Sequence, residues 1–326
     1  TTADANTGVG YAALNANTTG TRNTAVGQGA LDASTTGDDN TAVGQDALGA
    51  NTTASNNTAV GRSALLSNTT GADNVAMGAY ALDANTTGGA NTAIGDNALG
   101  ANTTANANTG LGYATLLVNT TGAANVAIGS SALVANTTAS NNVAVGYDSL
   151  KANTTGTYNV GVGYEALSAS TTTSQNTGVG YRALKDNTGS YNSAFGMSAL
   201  QSNTTGSNNT AVGRDALVSN TTGASSTAVG YQALYTNTTY SENTAIGHKA
   251  LYTNGGGYSN TSIGHETLMA NSTGHSNTAV GHDSLTASTT GIHNTALGKG
   301  AMLVNTTGQE NVAVGSESLD ANTTGN

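Results

Sequence analysis

The stretch NTAVGQDALGANTTASN, residues 40–56, is followed at once by NTAVGRSALLSNTTGAD, residues 57–73. The same phrase runs through the whole chain. With Asn as position 1, units begin at Asn6, Asn23, Asn40 and so on to Asn311, nineteen in all, spaced 17 residues apart. One unit, residues 176–191, has only 16 residues, because DNTGSY lacks one residue of the usual Asn-Thr-Thr-Gly corner. Residues 1–5 read as the tail of a preceding unit, and the last unit stops one residue short at Asn326. Nothing is left over for a second domain, so 1–326 is expected to be a single repeat domain.

Self-similarity at a short fixed period marks a repeat architecture. The consensus is N-T-A-V-G-x-x-A-L-x-A-N-T-T-G-x-x. Two units make 34 residues, the length of a common helical-hairpin repeat, so a helical reading must be tested. It fails: Thr, Asn and Gly are poor helix formers, Gly occurs 44 times, and odd and even units do not differ. Asn-Thr-Ala-Val instead alternates in strand fashion, and Asn-Thr-Thr-Gly carries turn chemistry. The expected fold is all-β, a parallel β-solenoid or β-roll of about 19 coils with a 17-residue repeat. Coils spaced about 4.8 Å apart would make a rod on the order of 90 Å long, stabilised by summed neighbour contacts.

Comparing the units with one another suggests which way side chains point. Position 4 is always apolar, as in Val26, Val43, Met77 and Phe195. Position 2 is Thr in 13 units and Val in five, a swap of similar shapes that suits an inward site. Position 9 is Leu in 18 units, including Leu31 and Leu48, and Met302 in the other. Positions 2, 4 and 9 are therefore expected to face inward, and the variable positions 6, 7, 10, 16 and 17 to face water. Position 5 is Gly in every unit, from Gly10, Gly27 and Gly44 onward. Such a column calls for positive φ or an approach too close for a Cβ. Asn fills position 1 in 18 units, including Asn23 and Asn40, and position 12 in 16. Ser replaces it at Ser226 and at Ser34, Ser170 and Ser288. Stacked Asn amides would hydrogen-bond from coil to coil and hold register.

Position 3 is restricted to Ala, Gly or Ser, as in Ala25, Ala42, Ala59, Gly161, Gly178 and Ser262. If positions 2 and 4 point in, position 3 points away, where an ordinary solvent-facing site would vary. Either a kink at the following Gly turns it inward, or another chain packs there. The second reading makes Ala25, Ala42, Ala59, Gly161 and Gly178 a close-packed interface in a three-fold bundle.

Composition limits the chemistry. The chain has 8 Lys+Arg against 18 Asp+Glu, a net charge of −10, one Phe, and no Trp, Pro or Cys. An acidic surface disfavours nucleic acid, and absent Cys excludes disulfides and thiolate–metal sites. No apolar run approaches the roughly 20 residues that span a bilayer, so no membrane insertion is expected. The chain opens on Thr1, as a processed product or a fragment would.

The consensus Asn-Thr-Ala-Val-Gly-x-x-Ala-Leu followed by Asn-Thr-Thr-Gly resembles the repeats of phage tail-fibre-domain proteins. It is also similar, with longer loops, to the head repeats of trimeric autotransporter adhesins. The resemblance covers all 326 residues. It implies a left-handed parallel β-roll, trimerised side by side, outside the cell or on a cell or virion surface. It carries over no catalytic residues, and none of the 326 residues is expected to correspond to the C-terminal chaperone domain that often ends the tail-fibre proteins.

Only one outward column concentrates chemistry. His248, His265 and His282 occupy position 6 of consecutive units, beside Lys249, Glu266 and Asp283 at position 7. Stacked imidazoles could share a metal ion, but no fixed carboxylate column supplies further ligands. They read as an exposed ladder, with no metal site or cofactor expected. Tyr11, Tyr113, Tyr147, Tyr164, Tyr181 and Tyr231 share that column and suit cross-coil packing or stacking on sugars. His282-Asp283-Ser284 has the residue types of a hydrolytic triad, yet neighbours on a strand alternate faces. Enzymatic activity is not expected. Asn17, Asn51, Asn68 and Asn85 head Asn-Thr-Thr acceptor sequences for glycosylation. A turn-and-ladder role accounts for them better, since glycans would crowd at coil spacing.

The expected function is a structural or adhesive extracellular fibre segment mediating surface attachment. Its partners would be copies of itself, as a trimer or an end-to-end filament, and a cell-surface or glycan receptor. The alternative is an ice-binding β-solenoid, which needs a regular outward Thr face.

Overall fold

The computed structural model describes residues 3–325. The protein is an all-β solenoid with one three-residue strand per 17-residue coil, from β1 (Thr7–Val9) to β19 (Val312–Val314). Contacts divide the chain into two compact units, Thr1–Val162 and Gly163–Asn326. In the first, β1 through β10 (Val160–Val162) pair in sequence, each parallel to the next and shifted by one repeat, as in Thr24↔Thr41 and Val26↔Val43. In the second, β11 (Thr177–Val179) through β19 do the same, and the 16-residue unit keeps the ladder in register, pairing Thr177 with Ser193.

Each coil hands most of its backbone hydrogen bonds to its neighbours. Thr41 N–H donates to Asn57 O at 2.8 Å in the next coil, Gly44 N–H to Val26 O at 2.8 Å in the preceding one, and Leu48 N–H to Ala64 O at 3.0 Å in the next. A lone coil would leave these buried groups without partners, which is why the sequence must repeat. Between the strands the chain turns through residues of positive φ. Gly44 sits at φ +137, and Asp46, Leu48 and Asn56 at +56, +51 and +61. The same pattern at positions 5, 7, 9 and 17 recurs in coil after coil. A left-handed Leu costs roughly 1 kcal/mol, offset here because that conformation aims Leu48 wholly into the core.

The core differs from the sequence expectation in its phase. Ala25, Ala42 and Ala59 at position 3 are wholly buried inside their own coil, as are Ala30, Ala47 and Ala64 at position 8 and Leu31, Leu48 and Leu65 at position 9. Gly161 and Gly178 are buried with them. Val26 and Val43, expected inside, lie on the outer face at 36% exposure each. The proposed interface of Ala25, Ala42, Ala59, Gly161 and Gly178 is therefore corrected: these residues line the chain's own core. Strand alternation holds, but with the opposite sign.

The reason is space. A Cβ at Gly178 would stand 3.3 Å from Leu167 Cγ, and one at Gly110 3.6 Å from Leu99 Cδ1. Position 8 of the same coil, whose Ala183 O would lie 3.1 Å from that Cβ at Gly178, and the Leu of the preceding coil together limit position 3 from within. Positions 3 and 8 also adjust to one another. Where position 8 is Thr115, position 3 is Gly110, whose Cβ would come within 2.8 Å of the Thr hydroxyl. Where position 8 is Thr267, Ser262 turns the encounter into a hydrogen bond, with its Oγ 2.6 Å from Thr267 Oγ1.

Two buried Asn ladders flank this apolar strip. Asn40 donates its backbone N–H to Asn23 Oδ1 at 2.9 Å and its amide to Ala54 O at 2.9 Å. Asn51, at position 12, donates to the same Ala54 carbonyl at 3.0 Å. Along the second column Asn68 Nδ2 reaches Asn51 Oδ1 at 3.0 Å. Serine interrupts this second ladder at a cost. Asn17 Oδ1 and Ser34 Oγ are both buried without a hydrogen-bond partner, and so are Asn271 Oδ1 and Ser288 Oγ. Ser34→Asn restores the missing donor to Asn17 and an acceptor to Asn51. Urea unfolding should show it more stable by about 1–2 kcal/mol at unchanged m-value; a lower midpoint would refute the ladder account.

Candidate functional surfaces

The outer strand face is the most regular surface of each unit. Position 2 presents Thr or Val, with Ser193 once, and position 4 presents Val, Ile, Leu, Met or Phe; neither is charged in any unit. Met77 is 42% exposed, Leu111 43% and Phe195 43%. A column that is apolar without exception would ordinarily be core. Here it points outward, so its apolarity is not explained by the chain's own packing.

The second surface is the position 6 column of the unit Gly163–Asn326. The rings of His248 and His265 stack at 4.8 Å with planes 9° apart, and those of His265 and His282 at 4.7 Å and 7°. Tyr231 lies beside His248 at 5.4 Å. Their position 7 neighbours have positive φ, +53 at Glu266 and +56 at Asp283, which brings both carboxylates back onto the column. Glu266 Oε1 lies 3.9 Å from His248 Nδ1 and 4.0 Å from His265 Nε2. Asp283 Oδ2 lies 2.8 Å from His282 Nδ1. The sequence argument against further ligands is corrected on this point: carboxylates do reach the ladder. The sign of φ at position 7, the one fact needed, leaves no mark in that variable column. Sequence reasoning also missed a cluster at positions 16 and 17, where Tyr258 stacks on His275 at 4.5 Å and His293 meets His275 edge-on.

Further along position 6, Tyr164 and Tyr181 stack at 5.4 Å, and the Arg182 guanidinium lies 4.9 Å from the Tyr181 ring. Arg182 Nε also meets Glu165 Oε2 at 2.9 Å, and Lys185 Nζ meets it at 3.5 Å. Partial burial works against ionising Glu165. The Arg182 hydrogen bond and the nearby charges of Lys185 and Arg182 outweigh it, holding the carboxyl below its ordinary range. Its folded pKa being depressed, this contact is present at neutral pH and lost only as pH falls through a folded pKa that lies below the ordinary glutamate value.

The remaining candidates separate. Ser284 is buried and its Oγ donates to Ala296 O at 3.1 Å, whereas His282 and Asp283 face outward, so no triad assembles. Asn51, Asn68 and Asn85 are wholly buried with their amide nitrogens engaged, which closes them to glycosylation in the folded coil. Among the described residues no helix is long and apolar enough to cross a membrane.

No protein-family model matches the chain, and no curated protein is detectably similar to it in sequence.

Proposed function

We propose that the protein is a structural fibre segment whose copies lie side by side, joined through the strand face at positions 2 and 4. One observation carries this reading: a column apolar in all nineteen units faces away from its own core. Fully burying a Val, Leu or Ile side chain contributes about 1.5–3 kcal/mol, so covering a part-exposed one adds on the order of 1 kcal/mol per coil. A partner that covers the column along its length must repeat at the same coil spacing and carry no charge there. A second copy of the chain meets both requirements. Three copies about a common axis is the arrangement that the resemblance to tail-fibre and trimeric-adhesin repeats favours. In that setting the variable columns at positions 6, 7, 16 and 17 are left to meet a receptor on a cell or virion surface, and the acidic balance leaves nucleic acid aside.

Light scattering on a size-exclusion column tests this directly. The wild-type chain is expected at three times its own mass. Val43→Asp, Met77→Asp and Leu111→Asp together should reduce it to one chain with an unchanged far-UV spectrum, since all three side chains lie outside the core. A monomeric wild type would overturn the reading.

A second reading gains support from the corrected phase. Thr24, Thr41 and Thr58 lie at position 2 on the outer face, where an ice-binding surface would need them. Against it, the companion outward column is apolar throughout rather than Thr. A monomer with thermal hysteresis at millimolar concentration would select this reading.

A further inference from the structure

We propose that the ladder His248–His265–His282, with Glu266 and Asp283, is a binding site for one divalent transition-metal ion of the zinc class. The inference is independent of side-by-side assembly. All five histidines of the chain fall between residues 248 and 293, and three of them share one column in consecutive coils. The fold brings together two overlapping three-ligand sets. His248, His265 and Glu266 form one, and His265, His282 and Asp283 the other; within each set the donor atoms lie no more than 4.8 Å apart.

The donor chemistry selects the ion. Two imidazoles and one carboxylate suit zinc, copper or nickel, whereas calcium and magnesium call for an oxygen-rich shell that one carboxylate does not supply. Donors around tetrahedral zinc sit about 3.3 Å apart, so the ladder must close by roughly 1.5 Å on binding. The side chains can do this, being 42% exposed at His248, 44% at His265 and 53% at His282, with backbones held by the solenoid. Two lysines border the column: Lys249, whose Nζ lies 5.7 Å from the Tyr252 ring centroid, and Lys299, at position 6 of the coil after His282, farther along the column from the His248–His265–Glu266 set.

Asp283 suits either of two roles. It can ligate, or it can accept the Nδ1–H of His282 and so leave Nε2 free to coordinate, the usual second partner of a metal-bound histidine. His265 belongs to both sets, and a neutral imidazole offers one lone pair. The two sets therefore compete, and one ion is bound at a time. Three protein ligands leave a fourth position open on the solvent side, where water or a carboxylate of another molecule would complete the shell.

The test is a calorimetric titration of the intact chain with zinc chloride in a non-chelating buffer, paired with NMR of the histidine rings. One zinc per chain is expected, with the signals of His248, His265 and His282 shifting and those of His275 and His293 staying in place. His265→Ala should weaken binding at least tenfold, with His265→Gln as a second variant. Both side chains point outward, and a far-UV spectrum checks that the coils remain. His293→Ala should change affinity less than twofold. No saturable binding below millimolar zinc would overturn the proposal, as would unmoved column signals or a His265→Ala titration within tenfold of wild type.

Discussion

Gly44→Ala should destabilise the protein by more than about 3 kcal/mol, an uncommonly large effect for one added methyl group. Two causes act together. Gly44 has φ +137, a region that L residues enter only with strain of about 1–3 kcal/mol. Its new Cβ would also collide with the carbonyl of Gly61 in the next coil; at Gly10 the same construction puts the Cβ 2.6 Å from Gly27 O. Neither backbone can retreat, because Gly44 N–H is bonded to Val26 O and Gly61 N–H to Val43 O, each at 2.8 Å. The control is Gly100→Ala at position 10. There φ is not positive, and a Cβ meets its nearest neighbours at 3.5 Å, ordinary contact. That variant should be neutral or more stable by about 0.4–1 kcal/mol through the unfolded chain. Thermal and urea unfolding by circular dichroism compare the pair, with limited proteolysis locating the opened coils. Equal midpoints for the two variants would show that position 5 is Gly for some other reason.

Asn57→Ala should cost about 2–4 kcal/mol while Asn57→Ser costs less than half as much. Asn57 Oδ1 accepts the backbone N–H of Asn74 at 3.0 Å and its side-chain amide at 3.2 Å. Asn57 Nδ2 donates to Gly71 O at 3.0 Å. Alanine removes the acceptor and strands a buried backbone donor in the next coil, the costliest kind of orphan. Serine keeps part of it, as the chain itself demonstrates. At Ser226, the one natural replacement in this column, the hydroxyl stands 3.3 Å from Asn243 N–H and accepts its hydrogen bond. Hydrogen exchange at the Asn74 amide gives the sharper readout, with protection lost in the Ala variant and mostly retained in the Ser variant. Equal exchange in both would place the ladder's worth in packing instead.

These substitutions probe the parts of the fold that were legible in the sequence. The 17-residue period, the coil as the unit of structure and the inward Leu31 and Leu48 can all be read by comparing the chain with itself. Repetition makes that comparison possible. A column such as Gly44 or Asn57 must meet the same backbone demand in every coil, so its constancy is a physical record of that demand. The exceptions carry as much information, since Ser226 replaces only the bonding that a hydroxyl can supply.

The direction in which the strand faces was decided elsewhere. Alternation of period two says that Ala42 and Val43 point to opposite sides, but not which side is inside, and apolarity favoured the wrong one. In three dimensions Leu48 and its counterparts already fill the narrow interior, leaving room only for Gly, Ala or Ser at position 3. The larger Val43 is pushed to the outer face, the face proposed above to meet a second copy of the chain. The carboxylates at the histidine ladder depended on tertiary structure in the same way. Glu266 and Asp283 reach the imidazoles because position 7 has positive φ, a backbone state that Lys249 and Ala12 adopt as readily. Sequence alone determined what repeats; the volume left inside each coil, and the hand of one corner residue, decided which side chains meet.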